Sequence, residues 1–316
     1  MRRTTFAALV LVATMNPSQP AAAASVDIAL GDSITFGETN LQYIPSFGDR
    51  GYVSLYADYL AGLNGGIRPN VINLAIDGET SGSFTSGVGR VPPVVGRTDA
   101  VLAAENLNYN PNALVPQNTL FLSTVASQQS AGNTIDTVSI SLGFNDLIAL
   151  ASSPNTANQL LAPTLATYRN NYSALLAEVR QSLPNAQLLL LNYYNPFPAD
   201  PTNPAAPIAA AGGPLLNNTI RDLAAEYGGF YVDTFTPFVG REAQLTFQDD
   251  MPAGATVLPP FGGTLPLGNV HPNAAGYQVI AAQAEAVPEP SSWASSLGVG
   301  VALVLGSLWR RRRRVA

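Results

Sequence analysis

Short apolar runs rich in β-forming residues alternate along this chain with longer segments that have helical periodicity. The predicted strands are residues 26–30, 71–75, 137–142, 186–191 and 230–233. The predicted helices are residues 52–63, 155–183, 215–227 and 274–286, with one or two more between residues 81 and 136. The proline-rich stretch 196–214 and residues 236–270 are predicted to be loops. This alternation predicts an α/β fold, with a five-stranded parallel sheet covered by helices on both faces.

Small polar clusters follow three of the predicted strands. They contain Gly31-Asp32-Ser33, Gly78 with Thr80, and Gly143 to Asp146. Because the carboxyl ends of parallel strands meet at one edge of a sheet, Ser33, Gly78 and Asn145 are expected to converge. An isolated Gly-Asp-Ser is more often a turn than a nucleophile. The two accompanying clusters favour the nucleophile here.

The same residues supply the groups that acyl transfer requires. A serine hydroxyl needs a nearby base and donors aimed at the developing oxyanion. Gly78 and Ser33 can each offer a backbone N–H, and Asn145 can offer its side-chain amide. His271, the one histidine of the chain, precedes the last predicted helix. A lone histidine before a proline is usually a surface loop residue, but the three strand-end clusters favour a general base.

Taken together, four short motifs resemble the SGNH hydrolases, also called the GDSL esterase/lipase family. They are residues 31–35, 73–80, 143–146 and 271–273, and they occur in the order found in that family. The resemblance implies a three-layer α/β/α, flavodoxin-like fold without a cofactor. It also implies that Ser33 and His271 are catalytic and that Ser33, Gly78 and Asn145 form an oxyanion hole.

One position departs from the family pattern. The family usually has an aspartate three residues before the histidine, and Gly268 stands there. In a triad this aspartate fixes the histidine tautomer and stabilises the imidazolium. A backbone carbonyl could orient His271 instead, Asp249 or Asp250 could supply the carboxylate, or the protein could be a weak or inactive relative.

Two further aspartates, Asp32 and Asp146, are interpreted as supporting residues. Each stands beside a predicted site residue, Asp32 before Ser33 and Asp146 after Asn145. We expect both side chains to accept hydrogen bonds from loop amides. Their predicted role is therefore to hold the loops rather than to react.

The composition excludes several other classes of protein. The chain has no cysteine, so it has no disulfide framework and no cysteine-based metal site, and no metal is predicted. Residues 25–290 carry eight arginines against twenty-one acidic residues. A nucleic-acid partner, which requires a basic surface, is therefore not expected.

Both ends of the sequence indicate export across the inner membrane. Residues 1–24 resemble a signal peptide, the alternative being a disordered alanine-rich tail. Residues 25–286 are then the hydrolase domain. Residues 287–316 combine Pro-Glu-Pro, an apolar segment and an arginine cluster, and they resemble a PEP-CTERM sorting tail. That resemblance implies transient membrane insertion and removal by an exosortase, whereas the alternative is a permanent membrane anchor.

These features predict a secreted or cell-surface serine esterase or lipase. Its substrate would be a small-molecule, lipid or acylated-saccharide ester. Proteins with PEP-CTERM tails usually accompany exopolysaccharide production, so the resemblance of the tail implies de-esterification of extracellular polysaccharide or lipid. The alternative, favoured by Gly268, is a non-catalytic carbohydrate-binding relative. A membrane-anchored structural protein is a third interpretation.

Overall fold

Five parallel strands form one sheet in the computed structural model, which describes residues 23–37, 51–90, 115–152, 156–199, 201–203, 205–246 and 271–288. The strands are β1 (Ser25–Gly31), β2 (Asn70–Asn73), β3 (Thr134–Ser141), β4 (Gln187–Leu191) and β5 (Phe230–Val232). Their order is β2-β1-β3-β4-β5, which is the flavodoxin-like order. The predicted α/β fold with a five-stranded parallel sheet is confirmed.

The helices of the described residues cover both faces of this sheet. They are α1 (Ser33–Phe36), α2 (Gly51–Leu63), α3 (Ser81–Ser86), α4 (Gln117–Ser130), α5 (Phe144–Ile148), α6 (Ala157–Ser182), α7 (Ala206–Glu226), α8 (Glu242–Leu245) and α9 (Ala274–Glu285). Helix α2 packs against α9, while α6 packs against α4 and α7. Right-handed crossovers explain why these helices form two groups on opposite faces. The chain moves from β1 to β2 in one direction across the sheet and from β3 to β5 in the other, so the connecting helices lie on different faces.

The central strands are buried on both sides. Every residue of β4 is buried, as are the last seven residues of β3. A parallel sheet with helices on both faces demands such continuous apolar runs rather than an alternating pattern. The sheet core therefore holds the carboxyl ends of β1 and β3 in fixed positions, and the loops that follow them start from a rigid base.

The prediction of a loop over residues 196–214 is wrong for its second half, where α7 begins at Ala206. Pro207 lies in the first turn, where no intrahelical partner is needed for its missing N–H. Pro214 lies inside the helix and removes one donor. Gly212 packs so closely on α5 that an added Cβ would lie 2.9 Å from a methyl group of Leu147. Tertiary packing thus overrides the local proline signal.

Other boundaries differ from the predictions by less. Strand β3 starts at Thr134, three residues before the predicted strand, because its first residues pair with β1. Helices α3 and α4 lie in the segment 81–136, where one or two helices were predicted. The predicted loop 236–270 contains a 3₁₀ turn at Thr236–Phe238 and the short helix α8, so it is not wholly irregular. Residues 247–270 lie outside the described part.

Among the described residues, no helix combines the length and the apolar character needed to cross a membrane. The predicted signal peptide lies outside the described residues except for positions 23 and 24. The predicted sorting tail lies outside them except for positions 287 and 288. Both therefore stay predictions.

Candidate active site

Ser33 lies just beyond the end of β1, as the first residue of α1. The preceding Gly31 has a φ of +133°, and an added Cβ would lie 1.9 Å from the Ser141 carbonyl oxygen. Only glycine allows β1 and β3 to approach so closely at this point. The Asp32 amide then donates to the same carbonyl at 3.0 Å. The end of β1 is thus tied to β3, and Ser33 follows in a fixed position.

The Asp32 carboxyl caps α1 and is almost fully buried. It accepts hydrogen bonds from the Ile34 amide at 3.1 Å and from the Tyr193 hydroxyl at 2.5 Å. Burial raises the pKa of Asp32 to about 7, although the two hydrogen bonds and the positive charge of His271 lower it in part. Asp32 therefore both holds the turn before Ser33 and interacts electrostatically with His271.

The loops that carry Gly78 and Asn145, after β2 and β3, are joined by a hydrogen bond to the residue that follows Gly78. Gly78 is buried in a turn with a φ of +71°, which favours glycine. Asn145 lies in the first turn of α5, and its Nδ2 donates to the carbonyl oxygen of Glu79 at 2.9 Å. A primary amide nitrogen carries two hydrogens. The bond to Glu79 uses one of them and fixes the orientation of the amide, so the direction of the second N–H is fixed as well.

A second glycine sets the position of Asn145. Gly143 has a φ of +134°, and an added Cβ would lie 2.4 Å from the ring of Tyr168. The Tyr168 hydroxyl donates to the Leu142 carbonyl at 2.9 Å. The aromatic ring and the turn after β3 therefore fit only because residue 143 has no side chain.

His271 lies partly buried before the first turn of α9. The Asn273 side chain caps this helix by accepting from the Gly276 amide at 3.0 Å. In the same helix, Tyr277 packs against Gly51, which also lies next to Gly37 at the end of α1. This packing brings the start of α9 near the end of α1. The positive charge of His271 is one of the influences that lower the pKa of Asp32.

The structure places the remaining predicted residues as follows. Asp146 accepts from the Ser81 amide at 2.9 Å and from the Ser81 hydroxyl at 2.6 Å, so it links α5 to the start of α3. Burial raises its pKa, and the Ser81 hydrogen bonds lower it in part. Asp249, Asp250 and Gly268 lie outside the described residues. The group that orients His271 therefore stays a prediction.

Three residues of this region were not predicted: Glu79, Gln117 and Tyr193. Tyr193 follows β4 and so lies at the same edge of the sheet as Ser33 and Asn145. Its position after a predicted strand is the sequence signal that indicates this. Glu79 follows Gly78 directly. Gln117 carries no local signal, because its approach depends on how α4 packs.

The positions of Ser33 and Asn145 fit acyl transfer, because both lie where the order of the strands in the sheet reverses direction. Open α/β sheets bind ligands where the order reverses, here between β1 and β3. Ser33 follows β1 and Asn145 follows β3, so a hydroxyl and an amide donor come from the two strands on either side of that reversal. Within the described part of the chain, no group of three or more acidic or histidine side chains could hold a metal ion.

Comparison with known proteins extends this picture. The model of the GDSL-like Lipase/Acylhydrolase family matches residues 29–279, a span that contains all four motifs. A Parabacteroides merdae protein described as a GDSL-like lipase is 17% identical, with a TM-score of 0.51, and 83% of this chain and 94% of that chain are covered. The lipase Lip_vut3 from a goat rumen metagenome is 20% identical, with a TM-score of 0.53 and coverage of 83% and 96%. No curated protein matches the chain. At these identities the two structures establish the fold alone.

Proposed function

The chain belongs to the GDSL-like lipase/acylhydrolase family and is an ester hydrolase, and from this premise we propose a serine mechanism in which Ser33 forms an acyl-enzyme. The observation that carries the proposal is the placement of Ser33 and Asn145 on either side of the reversal in strand order. Ser33 has 7% of its surface exposed, so its hydroxyl lies in a largely dry environment where hydrogen bonds to a substrate are strong.

The first half of the reaction forms the acyl-enzyme. The Ser33 Oγ attacks the ester carbonyl carbon while His271 takes the hydroxyl proton. The carbonyl oxygen becomes an oxyanion, which accepts hydrogen bonds from the Ser33 and Gly78 amides and from Asn145 Nδ2. When the tetrahedral intermediate collapses, the bond to the alcohol oxygen breaks, and that oxygen takes the proton from His271.

Water completes the cycle by the same route. His271 removes a proton from water as the water oxygen attacks the acyl carbon. The ester bond to Ser33 then breaks, Oγ takes back the proton, and a carboxylic acid is released. No external oxidant, metal or cofactor is needed for either half.

A backbone carbonyl is the group that we propose to orient His271. Gly268 removes the usual carboxylate, while a carbonyl acceptor can still fix the tautomer of an imidazole. Asp249 and Asp250 are the alternative orienting groups. The negative charge at Asp32 adds to the stabilisation of the imidazolium, since the interaction between Asp32 and His271 is attractive.

We further propose that the enzyme acts outside the inner membrane. The signal-like residues 1–24 and the sorting-like residues 287–316 support export. The substrates that this location favours are acylated extracellular saccharides or lipids. Intact-mass measurement of the exported protein tests the tail: loss of the segment after about Pro290 supports sorting by a protease such as an exosortase. Retention of residues 310–314 would instead indicate a permanent anchor.

Covalent labelling tests the mechanism directly. A fluorophosphonate should label the wild-type protein, and Ser33→Ala should abolish both labelling and ester hydrolysis, with a loss on the order of 10⁶ in kcat. The matched control is Ser173→Ala, which removes a hydroxyl paired with Tyr227 on the α6–α7 side. Substantial turnover by Ser33→Ala would exclude this mechanism. A folded wild-type protein inert to both reagents would support the non-catalytic, carbohydrate-binding alternative.

A further inference from the structure

The side chain of Gln117 joins two of the loops that form the site. Gln117 is the first residue of α4 and is fully buried. Its Oε1 accepts from the Gly31 amide at 2.7 Å, and its Nε2 donates to the Gly31 carbonyl at 2.9 Å and to Glu79 Oε2 at 3.0 Å. One amide therefore holds both backbone polar groups of Gly31, two residues before Ser33, and also binds the loop after β2.

Glu79 extends this connection to the third loop. It directly follows Gly78, and its backbone carbonyl accepts the hydrogen bond from Asn145 Nδ2 at 2.9 Å. Its fully buried carboxyl also binds Arg90 Nε at 3.2 Å and the hydroxyl of Ser83. Burial raises the pKa of Glu79, and the Arg90 charge and the hydrogen bonds lower it in part. Glu79 is thus held by its side chain while its backbone holds Asn145.

We propose that Gln117 and Glu79 are positioning residues that set the distance between Ser33 and the oxyanion donors at Gly78 and Asn145. The proposal rests on the proposed serine mechanism. Both side chains are fully buried, so they act through the residues that they hold rather than on the substrate. Donors for an oxyanion act only when they are fixed in advance, and a displacement of about 1 Å can cost roughly 10²-fold in rate.

The test compares two buried glutamines. Gln117→Met keeps a similar length and removes all three hydrogen bonds. The control is Gln187→Met. Gln187 is the first residue of β4, at the amino ends of the strands and so away from the site. It binds the Tyr56 hydroxyl at 3.1 Å and the Pro288 carbonyl. We expect Gln117→Met to lower kcat on a soluble aryl ester by about 10- to 100-fold, with KM changed less than about threefold. Gln187→Met should keep kcat within about twofold even if its melting temperature falls.

A second variant, Gln117→Glu, preserves the volume and keeps one acceptor oxygen. Its carboxyl has fewer donors than the amide, and once ionised it repels Glu79. We expect kcat to fall about tenfold, and to fall further as the pH rises and the introduced carboxyl ionises. A purely structural role predicts a lower melting temperature without this pH-dependent change in kcat.

Three outcomes would overturn the proposal. The first is a kcat near that of wild type in either folded Gln117 variant. The second is an equal loss of kcat in Gln187→Met. The third is that neither Gln117 variant folds, which would make the residue a requirement of the fold. Failure of the serine mechanism itself is distinguishable, because it would appear as the absence of labelling and turnover in the wild-type protein.

Discussion

The Tyr193 hydroxyl donates a hydrogen bond at 2.5 Å to the carboxyl of Asp32, the residue that follows β1 and precedes Ser33. Tyr193 comes from the end of β4, so this bond connects the loops after two strands separated by β3. Asp32 is 1% exposed, and its burial raises its pKa to about 7. The carboxyl next to Ser33 therefore changes its charge near neutral pH.

This relationship predicts the effect of Asp32→Asn on the pH profile. The positive charge of His271 lowers the pKa of Asp32, and such coupling is reciprocal, so ionised Asp32 favours the protonated form of His271. Asparagine keeps an oxygen for the Ile34 amide but removes the charge. Above pH about 7, where Asp32 is ionised, kcat should fall roughly 10- to 100-fold, part of what general base catalysis contributes. The acid limb of kcat/KM should move to lower pH.

The control for that variant is Asp58→Asn, which makes the same change in net charge at an exposed pair with Arg68. Its pH profile should match that of wild type. A profile for Asp32→Asn with an unchanged acid limb would contradict the proposed coupling.

Asn145→Ala should cost about 10²–10³ in kcat, with a much smaller change in KM, because it removes the donor that we propose acts on the oxyanion. The measurement is steady-state kinetics on a short-chain ester. Asn218→Ala serves as the matched control, since Asn218 is exposed on α7 and its Oδ1 accepts from Arg221 at 3.0 Å. A change confined to KM in Asn145→Ala would make Asn145 a substrate-binding residue instead.

Gly143→Ala should destabilise the fold on the order of 3 kcal/mol, from backbone strain and from overlap with the Tyr168 ring. Gly132→Ala is the comparison at an uncrowded glycine. Gly132 also has a positive φ, +78°, but an added Cβ there meets no atom within 4 Å. It should cost about 1 kcal/mol. Urea unfolding measures the loss of stability in each variant. Equal losses in Gly143→Ala and Gly132→Ala would show that crowding against Tyr168 contributes nothing.

Asp27→Asn should make stability less dependent on pH. Burial raises the pKa of Asp27 from 3.8 to about 7, while Thr137, its neighbour across the β1–β3 pairing, lowers it in part. The native state then holds a proton that the unfolded state has lost. Wild-type stability should therefore fall as pH rises from about 4 to 7, by up to about 4 kcal/mol from this group. The slope of unfolding free energy against pH should decrease in the variant, and an unchanged slope would contradict the shift.

Variants around His271 decide what orients it. If a backbone carbonyl does so, Asp249→Asn and Asp250→Asn should each change kcat only a few-fold. Gly268→Asp should then raise activity, provided that the turn accepts a side chain. If one of the two aspartates is the third member, its asparagine variant should lose much more, towards the roughly 10⁴-fold known for a triad carboxylate.

Much of the fold follows from local pattern. Strand β4 is recognisable from its run of four leucines because both faces of a parallel sheet are buried. The long helix α6 follows from its apolar stripe, despite Pro163 near its start. The helical second half of the predicted loop 196–214 could not be predicted from local pattern. Gly212 is suited to a helix there because it packs closely against Leu147, which lies on another helix.

The sequence by itself determined which chemical groups follow which strands: Ser33 after β1, Gly78 after β2 and Asn145 after β3. Those assignments depend on neighbours a few residues away, so turn chemistry and β-propensity suffice. Only the tertiary structure decided that Gln117 binds Gly31 and Glu79, 86 and 38 residues away, and that Tyr193 binds Asp32, 161 residues away. Such bonds form because burial leaves each polar group in need of a partner, and packing alone determines which partner is within reach.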